Sequence, residues 1–205
     1  SLDATHRVKL GIRPREKAAI ARRAAELIRP GDLLYLDAGT TMLALARLLA
    51  ARPAAERVDV VTNDLAVAAA VGEHPGAQIH VLGGRLDAGN LSTDGPTAAA
   101  ELAGFNIDLA FISASSFDLR GLSVPTEGKA IVKRSIAEHA DRCVLVADSS
   151  KYGRVSTFKA LPLRAFDAIV TDPALPDAVR DRATAVGVDL LLTPLPDPSH
   201  VGEHP

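Results

Sequence analysis

The stretch Leu-Leu-Tyr-Leu-Asp-Ala-Gly-Thr-Thr, residues 33–41, decides the fold of this chain. Its first four residues are mostly apolar and predict a buried strand, and the Asp-Ala-Gly-Thr-Thr run predicts a tight turn. Apolar residues then recur at helical spacing, at Met42, Leu45, Ala46 and Leu49. The sequence therefore predicts a strand, a loop and a helix in succession.

The loop of this unit has the residue types of an anion site. Gly39 permits a sharp turn and the close approach of a ligand, and the hydroxyls of Thr40 and Thr41 can cap the helix. The first turn of a helix presents N–H groups without intrahelical partners and a partial positive charge, which together suit a phosphate. The alternative is that Gly39 only makes a turn and the threonines only cap the helix, since such corners are common in α/β proteins.

Length, composition and charge limit the number of domains, the residues of the core and the possible partners. A chain of 205 residues is long enough for one domain with a full core, or for two small ones, and we expect one. Hydrophobic residues make up 47% but aromatic residues only 3%, so the core must be built from Leu, Val, Ile and Ala. The net charge of −2 and the pI near 6.3 give no overall attraction for a polyanion, so the chain alone is a poor candidate for binding DNA.

The chain shows no signal for a metal, a cofactor or a membrane. Cys143 is its only cysteine, and apolar neighbours predict a core position for it rather than a nucleophilic role. The six histidines lack the paired spacing of a metal site. No apolar run approaches the length of a membrane span, and the N-terminus lacks a signal-peptide pattern. We therefore expect a cytoplasmic protein without cofactor, metal or membrane partner.

Strands and helices alternate along the rest of the chain. The predicted strands are apolar on both faces, which is typical of a mainly parallel sheet covered by helices on both sides. Residues 114–126 are polar and predict an irregular wall or lid over a pocket, and residues 86–93 leave room for a short strand. Further strands are predicted at 58–61, 78–82, 109–113, 143–147, 168–170 and 188–192, and helices at 15–29, 65–71, 96–102, 127–139 and 176–186.

Polar residues follow the predicted strands where each strand ends. In a parallel sheet these carboxyl ends meet at one edge, and ligands bind just beyond it. We therefore expect a ligand site formed by residues 37–41, 62–64, 83–84, 113–115 and 148–151.

An ordered set of motifs carries a resemblance to a known family. In their order and approximate spacing, over roughly residues 15–192, they resemble the C-terminal effector-sensing domain of the DeoR family of bacterial transcriptional regulators. The motifs are Glu-Lys at 16–17 with Ile-Ala at 20–21, Leu-Asp-Ala-Gly-Thr-Thr at 36–41, Val-Val-Thr-Asn at 60–63, Leu-Gly-Gly at 82–84, Gly-Leu-Ser at 121–123, Ala-Asp-Ser-Ser-Lys-Tyr-Gly at 147–153 and Val-Thr-Asp at 170–172.

This resemblance implies a fold shared with ribose-5-phosphate isomerase and coenzyme A transferases, and a phosphorylated sugar or similar metabolite as effector. It also implies that operator DNA is bound by an N-terminal winged helix-turn-helix, which nothing in this sequence matches. We interpret residues 1–14 as an arm or linker remnant, 15–192 as the sensor domain and 193–205 as a Pro-rich, disordered tail. A fragment of a longer repressor is expected, with a stand-alone sensor as the alternative, and the Ala- and Leu-rich helices would support a homo-oligomer.

The physical chemistry and the family pattern together suggest a role for each site residue. The N–H groups and hydroxyls of Gly39, Thr40 and Thr41 would hold the phosphate, and Asp37 would accept hydrogen bonds from a sugar hydroxyl or from the loop itself. Lys151 would supply a cation, the alternative being a solvated surface lysine. The remaining predicted members of the effector site are Thr62, Asn63, Gly83, Gly84, Gly95, Ser113, Glu127 and Lys129.

Three of these residues, Glu127, Lys129 and Gly95, also have a purely structural interpretation. Glu127 and Lys129 could line the mouth of the pocket, but a Glu at a helix start also suits the helix dipole. Gly95 is either a ligand contact or only the turn residue before Pro96.

The main alternative function is a sugar-phosphate isomerase on the same fold. Such an enzyme needs a carboxylate base beside its substrate, and the isomerases carry a cluster of Asp and Glu after the strand that corresponds to residues 109–113. Here Ser113-Ala-Ser-Ser follows, and the nearest carboxylate is Asp118. The sensor family usually has glycine where Ser113 stands and another near Ser116, so the pocket floor departs from that pattern too. A coenzyme A transferase would need a catalytic Glu in a Gly-rich context, which the sequence lacks.

Overall fold

A computed structural model describes residues 13–194, so most of the predicted arm (1–14) and tail (193–205) lies outside the described residues. The helices of this part are α1 (Pro14–Ala25), α2 (Thr40–Ala50), α3 (Leu65–Val71), α4 (Pro96–Glu101), α5 (Glu127–Glu138) and α6 (Asp177–Ala185). The strands are β1 (Leu33–Leu36), β2 (Val58–Thr62), β3 (Ala77–Val81), β4 (Arg85–Asp87), β5 (Ser92–Asp94), β6 (Ile107–Ser113), β7 (Ser116–Asp118), β8 (Gly121–Val124), β9 (Ala140–Val146), β10 (Phe158–Pro162), β11 (Ala168–Thr171) and β12 (Asp189–Leu192).

Seven of the strands form one sheet in the order β12-β11-β9-β6-β1-β2-β3, and all six neighbouring pairs are parallel. The chain moves outward from β1 through β2 to β3, and then returns to β6 on the opposite side of β1. A reversal of this kind opens a crevice beyond the carboxyl ends of the two strands concerned. The topology therefore places a ligand crevice above β1 and β6.

Alternate residues of the strands face two separate helical layers, as the pleat requires. Leu34 and Leu36 of β1 pack with α1, α2 and α3, whereas Tyr35 faces the layer that contains α4, α5 and α6. The strands are covered on both sides, which explains why they contain few polar residues. The predicted fold class, a mainly parallel sheet covered by helices on both faces, is confirmed.

The prediction that residues 114–126 are irregular is wrong. They contain β7 and β8, an antiparallel hairpin that β10 extends to three strands. Phe117 and Leu122 are buried beneath it, so this segment contributes to the core. Two of its polar residues are buried serines with hydrogen-bonded hydroxyls, since Ser116 Oγ donates to Ser123 O at 2.9 Å.

Other segments also differ from the prediction in extent, among them the first helix and residues 86–93. The first helix ends at Ala25 rather than at residue 29, and turn hydrogen bonds follow from Leu27 N to Ala24 O and from Ile28 N to Ala25 O. Residues 86–93 belong to a hairpin of two strands, β4 and β5, rather than to a single one. Within residues 13–194, no helix combines the length and apolar character that crossing a bilayer would require.

Candidate functional site

A pocket of about 130 Å³ lies at the carboxyl ends of the central strands. Its position agrees with the crevice that the sheet order predicts. It brings together eight of the predicted site residues, namely Asp37, Gly39, Thr40, Thr41, Asn63, Ser113, Lys129 and Lys151. It also contains Asp148 of the expected segment 148–151, and residues that the sequence prediction missed, among them Lys17, Asn90, Asp94 and Lys133.

Asp37 forms the floor of the pocket and is 2% exposed. Its Oδ1 accepts a hydrogen bond from Ala38 N at 2.9 Å, and its Oδ2 accepts one from Ser113 N at 3.0 Å. Lys133 Nζ donates to the same Oδ2 at 2.5 Å. Asp37 was expected to accept hydrogen bonds from a sugar hydroxyl or from the loop itself, and the structure shows a bond from the loop.

Lys133 completes this floor from α5. Its Nζ donates to Ser113 O at 2.9 Å in addition to Asp37, and the side chain is almost fully buried. A charge in such a place is tolerable only because it is paired and hydrogen-bonded. Lys133 therefore fixes the β1 and β6 ends relative to α5 and is a positioning residue.

Ser113 has a structural use at the position where the sensor family usually has glycine. Its Oγ lies 2.6 Å from Ala38 O and 3.1 Å from Asp37 Oδ2, so the hydroxyl ties the end of β6 to the loop after β1. The departure from the family pattern therefore preserves a pocket floor and adds a bond across it.

Gly39 occupies a backbone conformation that favours glycine, with φ 125°. Its N–H donates to Asp64 Oδ2 at 3.1 Å, and Asp64 also caps α3 through Val67 N. The prediction that threonine hydroxyls cap α2 is wrong, because Gly39 is the N-cap residue and no side chain caps this helix.

The next two N–H groups differ from that of Gly39. The first bond of α2 runs from Leu43 N to Gly39 O, so the N–H groups of Thr40 and Thr41 precede the helical ladder. Within residues 13–194, neither group has a hydrogen-bond acceptor. Two N–H donors at the start of an eleven-residue helix thus belong to residues that line the pocket.

Asn63 is held in place by bonds on both sides of its amide. Tyr35 Oη donates to Asn63 Oδ1 at 2.8 Å, and Asn63 Nδ2 donates to Thr93 O at 2.7 Å. Burial, and then the charges of Asp37 and Asp64, raise the pKa of Tyr35 well above its ordinary value, so its hydroxyl remains a donor. The amide therefore connects β2 with β5 at the pocket wall.

Five of the predicted residues lie outside the pocket lining. Thr62 Oγ1 donates to Leu36 O at 2.7 Å, and Gly83 N donates to Glu101 Oε2 at 2.9 Å. Gly95 N donates to Gly128 O at 3.2 Å. Gly84 is exposed beside β3 at the sheet edge, and Glu127 is exposed at the start of α5. Their proposed contact with an effector stays a prediction.

Asp94 ends β5 at the opposite wall of the pocket. Burial raises the pKa of this carboxyl, while the nearby charge of Lys129 acts in the other direction and Asp87 raises it further. The carboxylate lies close to the first turn of α5, because a Cβ built on Gly128 would stand 2.9 Å from Asp94 Oδ1. Sequence reasoning missed Asp94, although its place at a strand end beside Gly95 was a usable signal.

A third acidic group connects the pocket with the start of α1. Asp148 lines the pocket, and its Oδ1 lies 3.7 Å from Arg13 Nε. Arg13 Nη2 is 4.0 Å from Asp172 Oδ2. Burial alone would raise the pKa of Asp172, but hydrogen bonds from Ser149 and Ala174, together with the charge of Arg13, lower it. The guanidinium therefore sits between two carboxylates beside the pocket.

Cys143 lies in the core, as predicted. It is 4% exposed, and burial with the charge of Asp167 raises the pKa of its thiol to about 12. No group of three or more His, Cys, Asp or Glu side chains within residues 13–194 is placed to hold a metal ion.

Comparison with known proteins gives one family and several relatives. The family model described as the DeoR C terminal sensor domain matches residues 12–173. The HTH-type transcriptional regulator YgbI of Escherichia coli K12, itself uncharacterized, is 43% identical over 188 residues, which are 92% of this chain and 72% of that protein. The HTH-type transcriptional repressor GlcR of Bacillus subtilis is 33% identical over 180 residues, 87% of this chain and 67% of that protein.

Solved structures with TM-scores above 0.5 show the same fold at low sequence identity. The translation initiation factor eIF-2B of Pyrococcus horikoshii is 15% identical with a TM-score of 0.54, over 76% of this chain and 62% of that chain. The eIF2B beta of Chaetomium thermophilum is 15% identical with a TM-score of 0.55, over 76% of this chain and 48% of that chain. The ribose 5-phosphate isomerase of Methanocaldococcus jannaschii is 18% identical with a TM-score of 0.46, over 66% of this chain and 53% of that chain. This chain thus spans less than two thirds of these solved chains.

Proposed function

Because this chain belongs to the DeoR family of transcriptional regulators, as its C-terminal sensor domain, we propose that it binds a phosphorylated sugar or a related metabolite. Binding then controls the attachment of a helix-turn-helix domain of the full-length repressor to operator DNA. The observation that carries the proposal is the pair of N–H groups on Thr40 and Thr41, which open α2 at the pocket without an acceptor within residues 13–194.

The surroundings of these N–H groups support an anionic ligand. A helix N-terminus carries a partial positive charge, and backbone N–H groups there bind phosphate oxygens. Lys17 and Lys151 line the same pocket, and an ammonium group is a common partner of phosphate. The floor pair of Asp37 and Lys133 is neutral as a unit, so it does not oppose an anion.

The link at Arg13 suggests how the pocket communicates with a DNA-binding domain. Asp148 contributes to the pocket and also faces Arg13 at the start of α1. In a full-length regulator, the chain before Arg13 leads toward the helix-turn-helix. An effector that binds one arrangement of this link more tightly shifts the population toward it, by no more than its difference in affinity for the two arrangements.

An isomerase on the same fold remains the alternative to test. The relatives named above are regulators, which favours a sensor. Asp37 has its carboxylate engaged by Lys133 and by the backbone, which leaves it poorly suited to act as a base. Asp118 pairs with Arg120 at 2.6 Å and is not part of the pocket lining.

The cellular setting follows from the proposed role. A regulator that acts on DNA in this way works in the cytoplasm, and we place the protein there. We also propose a homo-oligomer, because symmetric assemblies match the paired half-sites that helix-turn-helix proteins bind.

The proposal is tested by following the melting temperature of the chain against pentose and hexose monophosphates, inorganic phosphate and the free sugars. Phosphate esters should raise the melting temperature, and Lys151→Ala should reduce this rise while Lys159→Ala, an exposed lysine on β10, should not. If free sugars raise the melting temperature and none of the phosphate esters does, the phosphate assignment is refuted. Conversion of an added sugar phosphate into its isomer would favour the enzyme.

A further inference from the structure

The pocket has two acidic groups that face α5 at different heights. Lys133 and Lys129 lie four residues apart on this helix, a separation of about 6 Å along its axis. Lys133 belongs with Asp37 at the floor, and Lys129 lies near Asp94 at the upper wall, where its charge acts on that carboxyl. Each level therefore combines one carboxylate with one lysine.

The lower carboxylate already accepts hydrogen bonds from three donors. Asp37 accepts from Ala38 N, from Ser113 N and from Lys133 Nζ, at 2.9, 3.0 and 2.5 Å. A carboxylate offers about four lone-pair sites, so little capacity is left for a ligand. The lower level therefore holds the pocket together and does not discriminate among ligands.

The carboxylate of Asp94, at the upper wall, differs from that of Asp37 in its hydrogen bonding. Among the described residues 13–194, no N–H or O–H group donates a hydrogen bond to the side chain of Asp94, although this side chain lines the pocket and is partly buried. Partial burial removes some of the water around a carboxylate, and hydrogen-bond donors are needed to replace it. Hydroxyl groups of a ligand can supply the missing donors.

The backbone on either side of Asp94 is held by hydrogen bonds. Thr93 N donates to Asn63 O at 2.8 Å, and Gly95 N donates to Gly128 O at 3.2 Å, so the backbone is fixed on both sides of Asp94. Gly128 leaves the space that the carboxylate occupies, since a Cβ there would lie 2.9 Å from Oδ1. A group that is already ordered loses little entropy when it binds a ligand.

We propose that Asp94 is a specificity-determining residue whose carboxylate accepts hydrogen bonds from hydroxyl groups of the effector, away from the phosphate bound at Thr40 and Thr41. The pocket then selects polyhydroxylated monophosphates with a neutral far end. It discriminates against phosphorylated sugar acids, because a second carboxylate beside Asp94 would be repelled and would offer no donor. This inference rests on the proposed phosphate site.

The test compares paired ligands by calorimetric titration. The probes are D-glucose 6-phosphate with 6-phospho-D-gluconate, D-ribose 5-phosphate with 5-phospho-D-ribonate, and inorganic phosphate. The proteins are the unmodified chain, Asp94→Asn, Asp94→Ser and, as a charge-matched control, Asp141→Asn, an exposed residue of β9 that is not part of the pocket. Circular dichroism melts confirm that each variant is folded. If Asp94→Asn does not fold, Asp94→Ser takes its place in the comparison.

For the unmodified chain we expect each sugar phosphate to bind at least tenfold more tightly than its acid counterpart. Replacement of Asp94 should reduce this ratio at least tenfold and should leave the affinity for inorganic phosphate within about twofold. Asp141→Asn should preserve the ratio.

Other outcomes distinguish a failure of the Asp94 proposal from a failure of the proposed phosphate site. Equal affinity for both members of each pair, an unchanged ratio in the Asp94 variants, or binding of inorganic phosphate but of no ester would overturn the role of Asp94 while leaving the phosphate site intact. If neither the esters nor inorganic phosphate bind the unmodified chain, the proposed function itself fails.

Discussion

Lys133 Nζ lies 2.5 Å from Asp37 Oδ2 beneath the pocket, and this contact joins two residues that are 96 positions apart in the chain. The pair connects α5 with the loop after β1, and both side chains are buried. Because Lys133 also donates to Ser113 O, one ammonium group holds the ends of two neighbouring strands in register.

Lys133→Met should destabilise the protein by about 3–5 kcal/mol, because it leaves the Asp37 carboxylate buried without its cation. Urea unfolding of the variant and the unmodified chain measures this difference. The double variant with Asp37→Asn should recover part of the loss, since the unpaired charge is then removed. A loss below about 1 kcal/mol for Lys133→Met would show that the pair is not a structural element.

Thr40→Val should weaken the binding of inorganic phosphate while leaving the free energy of unfolding nearly unchanged. The substitution keeps the shape of the side chain but removes the hydroxyl, and no hydroxyl caps α2 in the structure. Loss of one hydrogen bond to a charged group corresponds to about 1.5–3 kcal/mol, or roughly tenfold or more in affinity. Calorimetric titration measures the affinity for phosphate, and urea unfolding measures the free energy of unfolding. Unchanged phosphate affinity would exclude the Thr40 hydroxyl from the site.

Gly31 and Gly121 offer a matched pair for separating backbone strain from steric overlap. Both have positive φ, at 84° and 130°. A Cβ on Gly31 would meet nothing within 4 Å, whereas on Gly121 it would lie 2.1 Å from Leu161 O. Gly31→Ala should therefore cost about 1–2 kcal/mol from strain alone. Gly121→Ala should cost clearly more in the same unfolding experiment, and equal losses would contradict the packing of the β7–β8 hairpin against β10.

Cys143 should resist alkylation in the folded protein. Its thiol has a pKa of about 12, whereas an ordinary cysteine titrates near pH 8.5. Because the folded-state pKa is raised, the reactive thiolate is scarce at pH 8 and becomes available only on unfolding. Iodoacetamide labelling followed by mass spectrometry should give almost no product without denaturant and complete product in urea. Rapid labelling of the folded chain would contradict the burial of this strand.

The sequence was sufficient for the fold because the central strands are apolar and are separated by turns with clear signals. The hairpin at residues 114–126 was not predictable in the same way. Ser116 and Ser123 are buried there with their hydroxyls bonded to neighbouring groups, and single residues do not reveal such partners. The prediction of residues 33–41 succeeded because strand, glycine and helix signals coincide.

The site was predicted only in part. Residues after β1, β6 and β9 reach the pocket because these strands lie at the centre of the sheet, whereas Gly83 and Gly84 follow the edge strand β3 and are not in its lining. Lys133 was missed because a lysine on a helix usually faces water. Its spacing of four residues from Lys129 was the available signal, since both lie on one face of α5.

The central claim is that Thr40 and Thr41 hold the phosphate of a small ligand that the protein does not transform. A crystal structure of the chain with a bound pentose or hexose monophosphate measures this directly. The account predicts phosphate oxygens within hydrogen-bond distance of the N–H groups of Thr40 and Thr41, with the ligand chemically unchanged. A phosphate bound elsewhere, or electron density for an isomerised product, would contradict it.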